Sequence, residues 1–145
     1  LEVMTDEDYS AALEGFLERE RQRAADLARK YRKQVASGGT YFDYNDQTLE
    51  TRTDRATRDD VRDVLDQLGS TDVTEIHWEY KPHDWAVLDQ AKAEALLSAI
   101  RTHRASAFQR QHDLEQQISA AATLQDMRAI LRDMRNGWPE MLGEL

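Results

Sequence analysis

Apolar positions recur at a helical period along most of the chain and at a period of two over one short central stretch. From Asp6 to about Ala36, Leu13, Leu17, Ala24, Leu27 and Tyr31 repeat in steps of three and four once Glu20 is included. No proline interrupts the run, so it predicts one long helix with a thin apolar seam. Ser37, Gly38 and Gly39 then break it, because glycine has the backbone freedom that a chain reversal needs. This predicts a division into an N-terminal helical arm, residues 1–37, and a small α+β domain, residues 38–145.

Tyr41–Tyr44 and Thr48–Thr51 are β-favouring runs joined by Asn45, Asp46 and Gln47, a pattern that predicts a hairpin. Thr57 with Asp60 carries a capping-box signature for a helix through Val61, Val64, Leu65 and Leu68, with Gly69 as the stop. Val73 to Lys81 changes to alternation, with Ile76, Trp78 and Tyr80 on one face and Glu75, His77 and Glu79 on the other. Pro82, His83 and Asp84 supply a turn, and Trp85–Leu88 returns antiparallel; both tryptophans are expected on a sheet surface that faces a helix.

Asp89 is then the expected N-cap of a helix from Gln90 to about Ala121, about 48 Å long at about 1.5 Å per residue. Its stripe is Leu96, Ile100, His103, Ala107, Gln111, Leu114, Ile118 and Ala121, a heptad interrupted by one extra step of four. Thr123 with Asp126 marks a second capping box ahead of Met127, Ile130, Leu131 and Met134; Asn136 and Gly137 end that helix, and Trp138, Met141 and Leu142 can dock the tail. The fold class is therefore α+β and helix-rich: a long N-terminal helix, a small antiparallel sheet of β-hairpins, a long helix and a short C-terminal helix.

Rods of this length exceed a small domain, so their ridges are expected to be sheltered by neighbouring copies; the alternative is that residues such as Ile100, Leu114 and Ile118 pack on the hairpins inside one protomer. On the N-terminal helix the expected oligomer interface is Leu13, Leu17, Leu27 and Tyr31. On the long C-terminal helix it is Leu96, Ile100, His103, Gln111, Leu114 and Ile118, with the polar His103 and Gln111 fixing register and copy number.

Composition narrows the chemistry. The 145 residues carry 19 Lys plus Arg against 28 Asp plus Glu, a net charge of −9, and no apolar run reaches the roughly 18 residues of a membrane span. Zero cysteines exclude disulfides, thiolate metal sites and thiol nucleophiles but leave the compartment open. Leu1 begins an acidic opening without the pattern of a secretion signal, as expected of a processed or truncated piece of a longer protein.

His77, His83, His103 and His112 show no metal-ligand spacing, and no nucleophile elbow, phosphate loop or dinucleotide fingerprint occurs, so no cofactor is expected. Asp59 with Asp60 reads as a solvated helix start, favoured by the macrodipole, and Glu75 with Glu79 as the exposed side of a strand. The run Glu18–Lys33 holds seven basic and three acidic residues. It reads as a solvated coiled-coil flank rather than a reader of phosphates. The helix and hairpin over residues 57–88 superficially look like a winged helix, but Asp59, Asp60, Asp63, Asp66, Glu75, Glu79 and Asp84 would repel a nucleic acid.

Three segments taken in order carry a resemblance: YFDYNDQTLETRTDRATRDDV, IHWEYKPHDWAVLD and LLSAIRTHRASAFQRQHDLEQQISAAATLQDMRAI. Over Tyr41 to about Met134 the chain resembles a tailed-bacteriophage tail-associated domain of unknown function, the DUF4376 type; the N-terminal helix departs from the shared region. The resemblance rests on the arrangement of strands, Trp78, Asp89, His103 and the run from Ile118 to Thr123, and transfers no catalytic or binding residue. It implies a non-enzymatic structural component of a phage tail, a fibre or baseplate-associated subunit made in the bacterial host cytoplasm and carried in the virion. Its expected partners are copies of itself, as in a trimer, and other tail proteins, with neither membrane nor nucleic acid among them. A tail-fibre assembly chaperone is the alternative; a glycan hydrolase and a DNA-binding protein are weaker readings.

Overall fold

A computed structural model describes residues 3, 5–70 and 72–145, so Leu1 lies outside the described residues. The chain order is α1 (Asp6–Ala36), β1 (Thr40–Tyr44), β2 (Gln47–Thr51), α2 (Arg55–Ser70), β3 (Ile76–Lys81), β4 (Asp84–Leu88), α3 (Gln90–Ala120) and α4 (Leu124–Asp133). The fold is α+β and helix-rich, with two separate antiparallel hairpins, β1–β2 and β3–β4.

Local chemistry sets the boundaries. Thr5 caps α1 by accepting from the Asp8 backbone N–H while the Asp8 carboxylate accepts from the Thr5 N–H, a reciprocal box that satisfies two helix-start donors. Asp89 and Thr123 cap α3 and α4 with their side chains, accepting from the Lys92 and Asp126 backbone N–H groups. At α2 the expected cap moves: Asp54 accepts from the Thr57 N–H, and Thr57 lies buried inside the helix. The first turn of α2 therefore carries Arg55 and Arg58, and Asp59 and Asp60 fall beyond it. Each hairpin turns through a residue in left-handed conformation, Asn45 (φ 51°) and His83 (φ 69°). Asparagine tolerates that region readily, and Pro82 presets the turn before His83.

Helix α3 is the spine, and its two halves lie in different cores. Its first half contributes Leu96, Leu97 and Ile100 to a core with Phe42 of β1, Val61 and Val64 of α2 and Leu88 of β4. The Tyr44 hydroxyl accepts from the Val87 N–H at 3.0 Å and so ties the two hairpins together. Trp78 packs on this core, whereas Trp85 is 59% exposed. The register explains the departure from expectation: Trp78 pairs with Ala86 and Trp85 with Glu79, and adjacent pairs on a ladder face opposite sides.

The second half of α3 contributes Leu114 and Ile118 to a core with Leu17, Ala24 and Ala28 of α1 and Met127 of α4. The helix expected as a separate arm thus shares its core with the rest of the chain. It runs antiparallel to α3: the Val35 carbonyl lies 2.6 Å from His103 Nε2, Arg32 Nε donates to Gln111 Oε1 at 2.8 Å, and Arg21 Nη2 donates to the Ala121 carbonyl at 2.7 Å. Alanine at positions 24, 28 and 107, all at 0% exposure, leaves room for the close approach of two helix backbones. The C-terminal tail closes the middle, where Trp138, Met141 and Leu145 pack on Val35, Ala36 and Ala107.

The turn after α1 depends on Gly39, whose φ is +85°; a Cβ there would stand 2.6 Å from Leu142 Cδ1 and 2.9 Å from the Thr51 carbonyl oxygen. Gly39→Ala should therefore destabilise the protein by about 2 kcal/mol or more in thermal unfolding, combining left-handed strain with a clash against backbone. Gly69→Ala, in the last turn of α2 with nothing within 4 Å of the added Cβ, should instead be neutral or stabilising by up to about 1 kcal/mol.

Candidate functional site

The residues expected between copies are mostly covered by the chain itself. Leu17, Leu96, Ile100, His103, Leu114 and Ile118 are buried. Leu27 and Tyr31 are half-buried against the α1–α3–α4 core, with the Tyr31 ring 6.2 Å from that of Trp138. Gln111 is half-buried in its bond to Arg32. Only Leu13, 43% exposed, is left substantially open. The assignment of this seam to neighbouring copies is thus corrected. The ridges shelter one another, because the hairpins and α2 carry the chain back so that α3 lies along α1.

His103 and Gln111 set register, but between two helices of one chain. Helix ends leave their last carbonyls without partners, and α1 ends inside the molecule. His103 reaches the Val35 carbonyl, and since a carbonyl only accepts, Nε2 carries the proton. The Thr53 hydroxyl donates to the Ala36 carbonyl at 2.7 Å and accepts from the Gly39 N–H at 2.9 Å. Arg104 Nη1 donates to the Thr53 carbonyl at 2.9 Å and more distantly, at 3.4 Å, to Ala36. Side chains from α3 and from the β2–α2 link thus replace the missing turn of α1.

Two surface features among the described residues bear on function. The first is the free end of α1. Arg21 bonds the carbonyl at the end of α3, so residues 6–16, about 16 Å of helix at about 1.5 Å per residue, run past the spine. Along this overhang Tyr9, Leu13 and Phe16 repeat in steps of four and three and are 62%, 43% and 44% exposed. The Arg19 guanidinium lies 5.9 Å from the Phe16 ring centroid.

The second is a cavity of about 360 Å³ between α2 and α3, lined by Arg55, Arg58, Arg101, Arg104, Ala105 and Phe108. Burial holds the Arg104 guanidinium below its ordinary range, and repulsion by Arg58, Arg32 and Arg55 adds to this against the opposing pull of Asp54. Arg32 stacks 4.4 Å from the centre of the Phe108 ring. The cluster has no local signal in sequence, because α2 and α3 bring together residues more than forty positions apart inside an acidic chain.

The other histidines, His77, His83 and His112, are exposed, as are Glu75, Glu79, Asp59 and Asp60; among these, Asp59 borders the cluster, with its Oδ1 3.8 Å from Arg58 Nε. Among the described residues no three His, Asp or Glu side chains converge on a point that could hold a metal ion. No described helix is long and apolar enough to cross a membrane.

Neither the curated proteins nor the solved structures yield a match to this chain. A family profile does, over residues 18–132. It takes in α1 from the point where that helix first meets the body, so the shared region begins well before Tyr41 and leaves the overhang outside it. On that match the chain belongs to the family described as a domain of unknown function, DUF4376.

Proposed function

We propose that this protein is a non-enzymatic structural component of a bacteriophage tail, a fibre or baseplate-associated subunit that assembles through the free end of α1. The phage setting draws on the resemblance set out above. The observation that carries the assembly reading is the stripe Tyr9, Leu13 and Phe16, exposed on a helix that has left its own core.

The occupant proposed for the stripe is a second copy, paired antiparallel about Leu13. The first turn of α1 carries Asp6, Glu7 and Asp8, and Arg19 stands about three turns further on. Antiparallel pairing about Leu13 sets Glu7 of each copy opposite Arg19 of the other, whereas a parallel trimer would gather the acidic first turns together. Light scattering should give twice the chain mass at about 100 µM, falling to one chain on dilution or on Leu13→Lys, with helical content unchanged. A single-chain mass for the native protein at that concentration would end the assembly reading. Mass spectrometry of purified virions separates a resident tail subunit, which is present, from a fibre-assembly chaperone, which is absent.

A further inference from the structure

We propose that the arginine-lined cavity between α2 and α3 is a binding site for a small phosphate-bearing ligand. Four arginines, Arg55, Arg58, Arg101 and Arg104, line this cavity and a fifth, Arg32, stacks on its Phe108 wall, in a chain whose net charge is −9. Three of them are committed only in part. Arg104 spends one nitrogen on backbone carbonyls, and Arg32 bonds Gln111 while stacking on Phe108. Arg58 Nε is buried without a hydrogen-bond partner, its closest carboxylate oxygen being Asp59 Oδ1 at 3.8 Å. A buried donor without an acceptor is costly, and an incoming oxyanion relieves that cost.

The placement also opposes stability in the empty protein. Arg55 and Arg58 occupy the first turn of α2, the positive end of the helix dipole, where acidic side chains are favoured. Asp54 and Asp59 are the acids that face this group: the Asp54 carboxylate already accepts from the Thr57 N–H and hydroxyl, and Asp59 meets Arg58 only at 3.8 Å. Arginines repelling one another at a helix start form a preset anion site.

Phosphate suits it better than carboxylate. Guanidinium forks bind oxyanions in pairs of hydrogen bonds, and several converging forks need more acceptor oxygens than the two of a carboxylate. The volume falls within the roughly 300–1,000 Å³ range of small-molecule pockets, and Phe108, 49% exposed, gives an apolar wall beside the arginines. The acidic surroundings disfavour an extended polyphosphate backbone.

Calorimetric titration of the whole chain with inorganic phosphate and with phenyl phosphate, at fixed ionic strength, tests this. Native protein should bind at one site that saturates by about 10 mM. The double variant Arg55→Gln/Arg101→Gln should bind at least about tenfold more weakly, while melting no lower than native protein when unliganded, since it removes repulsion rather than a contact. Arg128→Gln, exposed on α4, should leave binding unchanged. Tighter binding of phenyl phosphate, lost in Phe108→Ala, identifies an organic ester as the ligand type; equal binding identifies free phosphate. Absence of saturation, equal weakening in Arg128→Gln, or tighter binding of a short single-stranded oligonucleotide than of either probe would overturn the proposal.

Discussion

Leu114→Ala should cost about 2–5 kcal/mol, a melting temperature lowered by roughly 10 °C, and the loss should not depend on protein concentration. Leu114 is 1% exposed and packs among Leu17, Ala28, Ile118, Met127 and Met134, residues from three helices of one chain. Those neighbours are held by helix backbones already in close approach and collapse only partly into the space left. The loss is a large share of the roughly 5–15 kcal/mol that keeps a domain folded. Urea unfolding at two protein concentrations tenfold apart measures it. If copies sheltered the seam, the deficit would shrink as concentration rose, by mass action. Leu13→Ala on the exposed stripe provides the contrast and should change the stability of the single chain by less than about 0.5 kcal/mol.

That comparison turns on a point the sequence left open. The α3 stripe is legible in full: every position from Leu96 to Ala121 in the predicted series is buried or half-buried, and large apolar residues mark both ends of it, Leu96 and Ile100 at one and Leu114 and Ile118 at the other. On α1 the series drifted. It ran through Leu27 and Tyr31, whereas the buried positions include Ala28 and Val35. Alanine is a weak apolar signal, and it is alanine that lets two helices touch, so the contact face was the faint one. Length alone implies neighbours, yet two helices of 31 residues each cover one another.

Capping shows the same division. Asp89 and Thr123 were legible because each precedes a clean helical period. The capping-box pattern at Thr57 and Asp60 misled, since Asp54 three residues earlier offers its carboxylate to the same backbone. That shift of one turn moves Arg55 and Arg58 to the helix start and toward Arg101 and Arg104. The candidate cavity was invisible for a physical reason: its charges converge only through the packing of α2 on α3, while along the chain Asp59, Asp60, Asp63 and Asp66 conceal them.

Thr53→Val should destabilise the protein by roughly 2–4 kcal/mol although it replaces one methyl-sized group by another. Thr53 is fully buried, and its hydroxyl serves both sides of the turn after α1, donating to the Ala36 carbonyl and accepting from the Gly39 N–H. Valine removes both bonds at once. Ala36 keeps the 3.4 Å contact from Arg104, but the Gly39 N–H loses its acceptor, and Gly39 is itself buried. A buried donor left unpaired costs its full desolvation, about 1–3 kcal/mol, beyond the net value of the lost bonds. Thr53→Ser keeps the hydroxyl and should lose only about 1 kcal/mol for its missing methyl. Hydrogen exchange at the Gly39 amide separates packing from bonding: protection should survive in Thr53→Ser and fall sharply in Thr53→Val. Equal stability and equal protection in the two variants would show that the end of α1 is held by His103 and Arg104 without the hydroxyl between them.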